Sequence, residues 1–142
     1  MVVGFTSGVF DLFHIGHLNV LRNAKSMCDH LIVGVSTDEL VREYKNKNPI
    51  IPFLERVEIL RHVRYVDTVV AQEDMDKLKM YRRLKFDIMF VGDDWLDTDK
   101  WNKTESSFKE CGVKIIYFPY YKGTSSTKIN QILDQYRELD HG

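Results

Sequence analysis

The chain has 142 residues, 44% hydrophobic and 29% charged, enough apolar material for one real core and the composition of an ordinary globular protein. Its net charge of −1 excludes a global basic field for nucleic acid, so any anion site must be a local cluster of donors. No apolar run approaches the ~20 residues of a membrane span, and no charged stretch followed by an apolar run opens the chain as a signal peptide does. The expectation is a single domain over 1–142 in the cytoplasm. Cys28 and Cys111 lie far apart in sequence and read as reduced thiols rather than a metal pair or a disulfide.

In chain order, Val2–Thr6 reads as a strand and Ile15–Met27 as a helix with Leu18, Leu21 and Ala24 at helical spacing. Between them runs Gly8-Val9-Phe10-Asp11-Leu12-Phe13-His14-Ile15-Gly16-His17, a glycine-containing turn with two histidines. His30–Ser36 is the second strand. Ser36-Thr37-Asp38-Glu39 supplies an N-cap region for a helix over Thr37–Tyr44. Lys45–Pro52, with two prolines and two lysines, reads as a mobile loop. Phe53–Val63 follows as a helix with Leu54, Val57, Leu60 and Arg61 at helical intervals. Thr68–Ala71 is a strand and Asp74–Leu84 a strongly charged helix. Ile88–Val91 is a strand, and Asp97–Cys111 a helix closed by Gly112. Val113–Phe118 is the last strand. Ser125–Leu139 places Ile129, Ile132, Leu133 and Tyr136 on one helical face before a frayed tail. Strands without strict alternation, alternating with helices, imply an α/β fold. Its parallel sheet has about five strands and right-handed crossovers.

The first turn carries the chemistry. In a parallel sheet it sits at the carboxyl ends of the strands, where a helix N-terminus offers unpaired N–H groups and positive dipole to an anion. His14 and His17 flank a glycine there, an arrangement that packing alone explains poorly. Phosphate binding is preferred over zinc, which would need further ligands, with Asp11 the only candidate nearby. Lys45 and Lys47 lie in the loop able to close over polyphosphate. Arg56 and Arg64 bracket the third helix, and Lys77 lies on the fourth. Taken singly, each of these cations reads first as a solvated surface charge. Asp93, Asp94 and Trp95 end the fourth strand, which suits either nucleoside recognition or a simple turn with a helix cap. Gly123-Thr124-Ser125-Ser126-Thr127 opens the last helix with four hydroxyl residues where a cap needs one, a second candidate phosphate cradle.

Together these stretches resemble the nucleotidylyltransferase superfamily, whose hallmark is His-x-Gly-His at this turn. The resemblance is closest to the small bacterial glycerol-3-phosphate cytidylyltransferases. Arg64-Tyr65-Val66-Asp67 and Gly92-Asp93-Asp94-Trp95 point to that branch. It implies a Rossmann-like three-layer fold of nucleotidylyltransferase type. It also implies transfer of CMP from CTP to glycerol-3-phosphate or a related polyol phosphate, giving CDP-glycerol, a cell-surface polymer precursor, and pyrophosphate. Carried over position by position, His14, His17, Lys45, Lys47 and Arg64 would be catalytic. Val9, Phe10, Ile15, Gly16, Asp94 and Trp95 would bind the nucleotide with His14, His17 and Lys47. So would the last signature stretch through Tyr120, Lys122, Gly123, Thr124, Ser125, Ser126 and Thr127. Asp11, Lys45 and Lys77 would meet the acceptor. Mg²⁺ would arrive on the nucleotide phosphates with no protein ligands of its own. A homodimer is implied, with no nucleic-acid or membrane partner.

This sequence departs from the family pattern in places. The family's arginine in the last signature is Tyr120 here, Lys122 replaces its glutamate, and Val9 stands where threonine is frequent. Asp74 and Met75 stand where a tryptophan often precedes the Lys77 region. The departures leave the acceptor open, with a different phosphate acceptor or ATP as the first alternative. A catalytically silent nucleotide-binding module is the second.

Overall fold

Valine, isoleucine and phenylalanine concentrate in five short runs, and in the computed structural model those runs form one all-parallel sheet. The structure describes residues 1–92, 99–119 and 131–135. The strands are β1 (Val3–Gly8), β2 (His30–Ser36), β3 (Thr68–Gln72), β4 (Ile88–Gly92) and β5 (Lys114–Phe118). The helices are α1 (Ile15–Lys25), α2 (Asp38–Lys45), α3 (Phe53–Arg61), α4 (Lys77–Leu84) and α5 (Asp99–Glu110), and residues 131–135 are helical. The strand order β3-β2-β1-β4-β5 makes this a Rossmann-like α/β fold. The order reverses between β1 and β4, where a crevice opens beyond the carboxyl ends of the strands.

Two apolar layers cover the sheet. On one face Leu21 and Ala24 of α1 and Val57 and Leu60 of α3 pack with Leu31, Val33, Val35 and Phe90. On the other, Met80 of α4 and Trp101 and Phe108 of α5 pack with Phe5, Ile32 and Met89. Phe5 stacks on Phe86 at 4.8 Å between ring centroids.

Caps explain where the helices begin and end. Thr37 caps α2 by accepting from the Leu40 N–H, and the helix stops where Asn46 turns left-handed at φ 59°. The charged helix begins at Lys77 and not at Asp74, because the Asp76 carboxylate accepts from the Leu78 and Lys79 N–H groups and fixes the first turn there. After α5, Gly112 takes φ 82°, as the sequence implies. In α3 the inward face differs from the expected one. Leu54 is 78% exposed, whereas Arg56 is 1% exposed beside Val57 and Leu60.

The amino end of the sheet is held by carboxylates. Asp67 accepts from the Leu31 N–H at 2.8 Å and from Lys25 Nζ at 2.6 Å, joining β2 and the end of α1. Asp29 and Asp87 accept from the Val2 and Val3 N–H groups. Cys28 is half-buried, Cys111 is exposed, and both are free thiols. Among the described residues no helix is long and apolar enough to cross a membrane.

Candidate active site

β1 ends and α1 begins around a turn whose two histidines serve the backbone as well as the site. His14 is the N-cap of α1, in extended conformation, and its Nδ1 accepts from the Gly16 N–H at 3.0 Å. His17 lies one turn on, and its Nδ1 accepts from the His14 N–H at 3.3 Å. The pair forms a reciprocal capping box built from imidazoles instead of a hydroxyl and a carboxylate. Because each Nδ1 faces a backbone donor, the proton in each neutral ring belongs on Nε2. The rings lie 3.9 Å apart between centroids, and Phe10 and Phe13 each pack 5.4 Å from His17. Burial pushes His17 down to about 4, the neighbouring His14 adds to the effect, and Asp11 opposes it. Burial also lowers His14. Both rings are therefore neutral at pH 7, with Nε2–H donors left for an anion at the positive end of α1.

The turn between them is strained. Phe10 and Leu12 take left-handed backbone at φ 54° and 51°, a conformation that costs a residue with a side chain ~1–2 kcal/mol. Two buried polar groups hold it. Asp11, 7% exposed, accepts from the Ile50 and Ile51 N–H groups at 2.8 and 2.9 Å. Arg56 donates to the carbonyls of Val9 (2.7 Å), Ser36 (2.8 Å) and Ile51 (2.8 Å) and pairs with Asp38 at 2.6 Å. One guanidinium thus joins the ends of β1 and β2, the start of α2 and the following loop.

The expected mobile loop is consequently a tied one. Asn48 accepts from Arg42, Ile50 and Ile51 are held by Asp11, and the Phe53 N–H meets Asp38. Lys45 is the last residue of α2. Burial lowers its pKa, the adjacent Lys47 lowers it further, and Asp11 raises it, so these three charges share one electrostatic neighbourhood. On the opposite face of β1, Lys77 donates to Ser7 Oγ at 2.8 Å, and burial pushes its ammonium down to about 8.

The structure therefore gathers Val9, Phe10, Asp11, His14, Gly16, His17, Lys45 and Lys47 around one turn, with Lys77 at the end of the same strand. Ile15 sits in the turn but is exposed. The Asp11 carboxylate braces the loop with both oxygens. Arg64, expected to be catalytic, is exposed and precedes β3 at the amino end of the sheet, next to Asp67. A strand's length separates it from the histidines, so within one chain it does not join them. Asp94, Trp95, Tyr120, Lys122, Gly123, Thr124, Ser125, Ser126 and Thr127 lie outside the described residues. Sequence reasoning treated Arg56 as one of several surface cations. Its spacing of four from Leu60, on the inward stripe of α3, was the available signal.

Chemically, two neutral N–H donors, a helix N-terminus and nearby ammonium groups make a receptor for phosphate oxygens that can follow charge developing on them. A family model described as cytidylyltransferase-like matches residues 5–132. An FAD synthase of Pyrococcus abyssi is 37% identical over 142 residues, covering 98% of this chain and 93% of that protein. A glycerol-3-phosphate cytidylyltransferase of Staphylococcus aureus is 34% identical over 129 residues, covering 90% of this chain and 92% of that one. Among solved structures, a lipopolysaccharide core biosynthesis protein from Thermoplasma volcanium superposes with a TM-score of 0.71 at 27% identity, covering 87% of this chain and 99% of that one.

Proposed function

Since this chain belongs to the cytidylyltransferase-like family, we propose that it transfers CMP from CTP to the phosphate of glycerol-3-phosphate or a closely related polyol phosphate. The products are a CDP-polyol and pyrophosphate. The observation that carries the nucleotidyl-transfer reading is the imidazole pair. Both Nδ1 atoms are occupied by backbone N–H groups, and both Nε2–H groups remain to hold a triphosphate. The choice of a polyol phosphate rests on the Arg64–Asp67 and Gly92–Trp95 motifs and on the polar Lys77–Ser7 pair beside the turn.

An oxygen of the acceptor phosphate attacks the α-phosphorus of CTP. The new P–O bond forms as the bond to the β-phosphate breaks, and pyrophosphate leaves. The acceptor oxygen is already ionised near pH 7, so no strong general base is needed, and no covalent enzyme intermediate forms. His14 and His17 hold the triphosphate through Nε2–H. Lys45 and Lys47 add positive charge beside the turn, and Lys77 meets the acceptor. The donors at this site suit phosphate oxygens and not a cation. Mg²⁺ would therefore arrive on the triphosphate and would neutralise charge there.

A second reading is adenylyl transfer from ATP to FMN, favoured by the 37% identity to the Pyrococcus FAD synthase over nearly the whole chain. Pyrophosphate release across the four NTPs, with glycerol-3-phosphate, other polyol phosphates and FMN as acceptors, separates the two. Turnover with CTP and a polyol phosphate is expected. Turnover with ATP and FMN alone selects the second reading. Tight CTP binding with no release for any pair would leave a silent nucleotide-binding module. A homodimer is part of the same proposal, and light scattering of the purified protein tests it.

A further inference from the structure

His14 and His17 share one turn but are not held alike. His14 Nδ1 meets the Gly16 N–H at 3.0 Å, a bond of ordinary length. His17 Nδ1 meets the His14 N–H at 3.3 Å, just beyond the usual range. The outer torsion of a histidine is broad, so one long bond leaves the His17 ring room to swing. Aromatic contacts make up the difference. Phe10 lies edge-on to His17 at an interplanar angle of 62°, and Phe13 lies at 33°, both with centroids 5.4 Å from the imidazole. The His14 ring is a third neighbour at 3.9 Å. Among the described residues, both phenyl rings meet His17 and neither meets His14.

The bent backbone delivers these rings. Phe10 and Leu12 are left-handed on either side of Asp11, and Phe10 and Phe13, from the two arms of that bend, face one imidazole. Phe10 is buried, and Phe13 is half-buried against the apolar layer that holds Leu21, Val33 and Val35. The charged groups near His17 come from three elements. His14 and Asp11 belong to its own turn and act on it in opposite directions. From α2 and the following loop, Lys45 interacts with Asp11 and Lys47. From α3, Arg56 is committed to three carbonyls and to Asp38. Burial outweighs His14 and Asp11 in its effect on the ring, and phenyl surfaces are what exclude water there.

We propose that Phe13 is a positioning residue for nucleotidyl transfer: together with Phe10 it holds the His17 ring in the orientation that aims Nε2–H at the triphosphate, and it shields that ring from water. The proposal rests on the nucleotidyl-transfer reading of the site. A neutral donor strengthens its bond as charge develops on the phosphate oxygens. A permanent cation would hold the bound triphosphate nearly as tightly as the transition state, which lowers KM without raising kcat. The phenyl wall thus reserves the His17 donor for the step that breaks the bond between the α- and β-phosphates.

Phe13→Ala opens the wall to water, and Phe13→Leu keeps it apolar but removes the flat ring. NMR titration of the His17 Cε1–Hε1 signal, made without substrate, is expected to give a midpoint of about 4 in wild type and in Phe13→Leu. In Phe13→Ala the midpoint is expected to rise by about one unit towards 6.5. Steady-state kinetics at pH 7 is expected to show kcat down about 10-fold in both variants, with KM for the nucleotide within about 2-fold of wild type, the mark of an interaction made in the transition state. An unmoved midpoint in Phe13→Ala, or wild-type kcat in Phe13→Leu, overturns the proposal. So does a loss of activity carried by KM alone. If Phe13→Ala does not fold, Phe13→Leu decides by its kcat. If no pair of nucleotide and phosphate acceptor turns over, the activity reading fails by itself, and the substrate-free titration of Phe13→Ala still judges the role of Phe13.

Discussion

Arg56→Met removes the one guanidinium that joins the parts of the site while nearly keeping its volume. The side chain is fully enclosed, and its donors meet three backbone carbonyls and the Asp38 carboxylate. Removing one member of a buried ion pair costs ~3–5 kcal/mol when the other stays buried. Asp38 is 29% exposed and can rehydrate, which places this case at the lower end. The Ser36 carbonyl is buried and cannot rehydrate, and a buried acceptor without its donor costs ~1–3 kcal/mol. Together these give about 4–6 kcal/mol, or roughly 13–20 °C in Tm for a chain of this size. Urea and thermal unfolding followed by circular dichroism measure the loss. Steady-state kinetics should show a further drop in kcat/KM, because the Val9 carbonyl and the loop at Ile51 lose their common anchor. A variant with Tm within 2 °C of wild type and unchanged kcat/KM would refute the idea that Arg56 organises the site.

Three further outcomes follow from the same geometry. His14→Ala and His17→Ala should each lose ~10²–10³ in kcat, as expected for one donor to a developing charge, with ~1 kcal/mol of stability lost through the cap; wild-type turnover in either removes the imidazoles from the mechanism. His17 is held near 4 in the folded chain against 6.5 unfolded, so the unfolded state binds the proton first as pH falls. Stability is therefore complete above about pH 7 and should fall by about 2 kcal/mol between pH 7 and pH 5 through His17, a slope that His17→Gln reduces to the smaller part owed to His14 and that urea titrations at the two pH values detect. Lys77, lowered to about 8, loses its charge as pH rises through that value. KM for the acceptor phosphate should rise between pH 7 and pH 9 while KM for the nucleotide stays level, and a flat acceptor profile would take Lys77 out of the acceptor site.

The fold was largely legible because its signals are local. His30–Ser36 is apolar without alternation, and the structure gives a buried β2 with those bounds. The Ile15–Met27 pattern overran α1 by two residues, because Ser26 already caps the helix. The His-x-Gly-His spacing located the turn between β1 and α1 at the carboxyl end of the sheet. What the spacing could not reveal was how the site is braced. Arg56 matters through carbonyls of Val9, Ser36 and Ile51, and carbonyls carry no side-chain signature. Arg64 is the converse case. Its motif is recognisable, and within one chain Asp67 of that motif ties Lys25 and Leu31 together at the amino end of the sheet, away from the histidines.

The imidazole capping box has a consequence for catalysis in the absence of any substrate. A histidine that reaches a ligand from an ordinary surface rotamer must be ordered at each encounter, and that ordering opposes binding. Here the two rings are oriented by the helix they begin, through Nδ1, so their aim is set when the chain folds and is independent of ligand. The tautomer is fixed by the same bonds. It also couples two properties that are usually separable: a substitution that retunes either ring for a different leaving group also alters the first turn of α1.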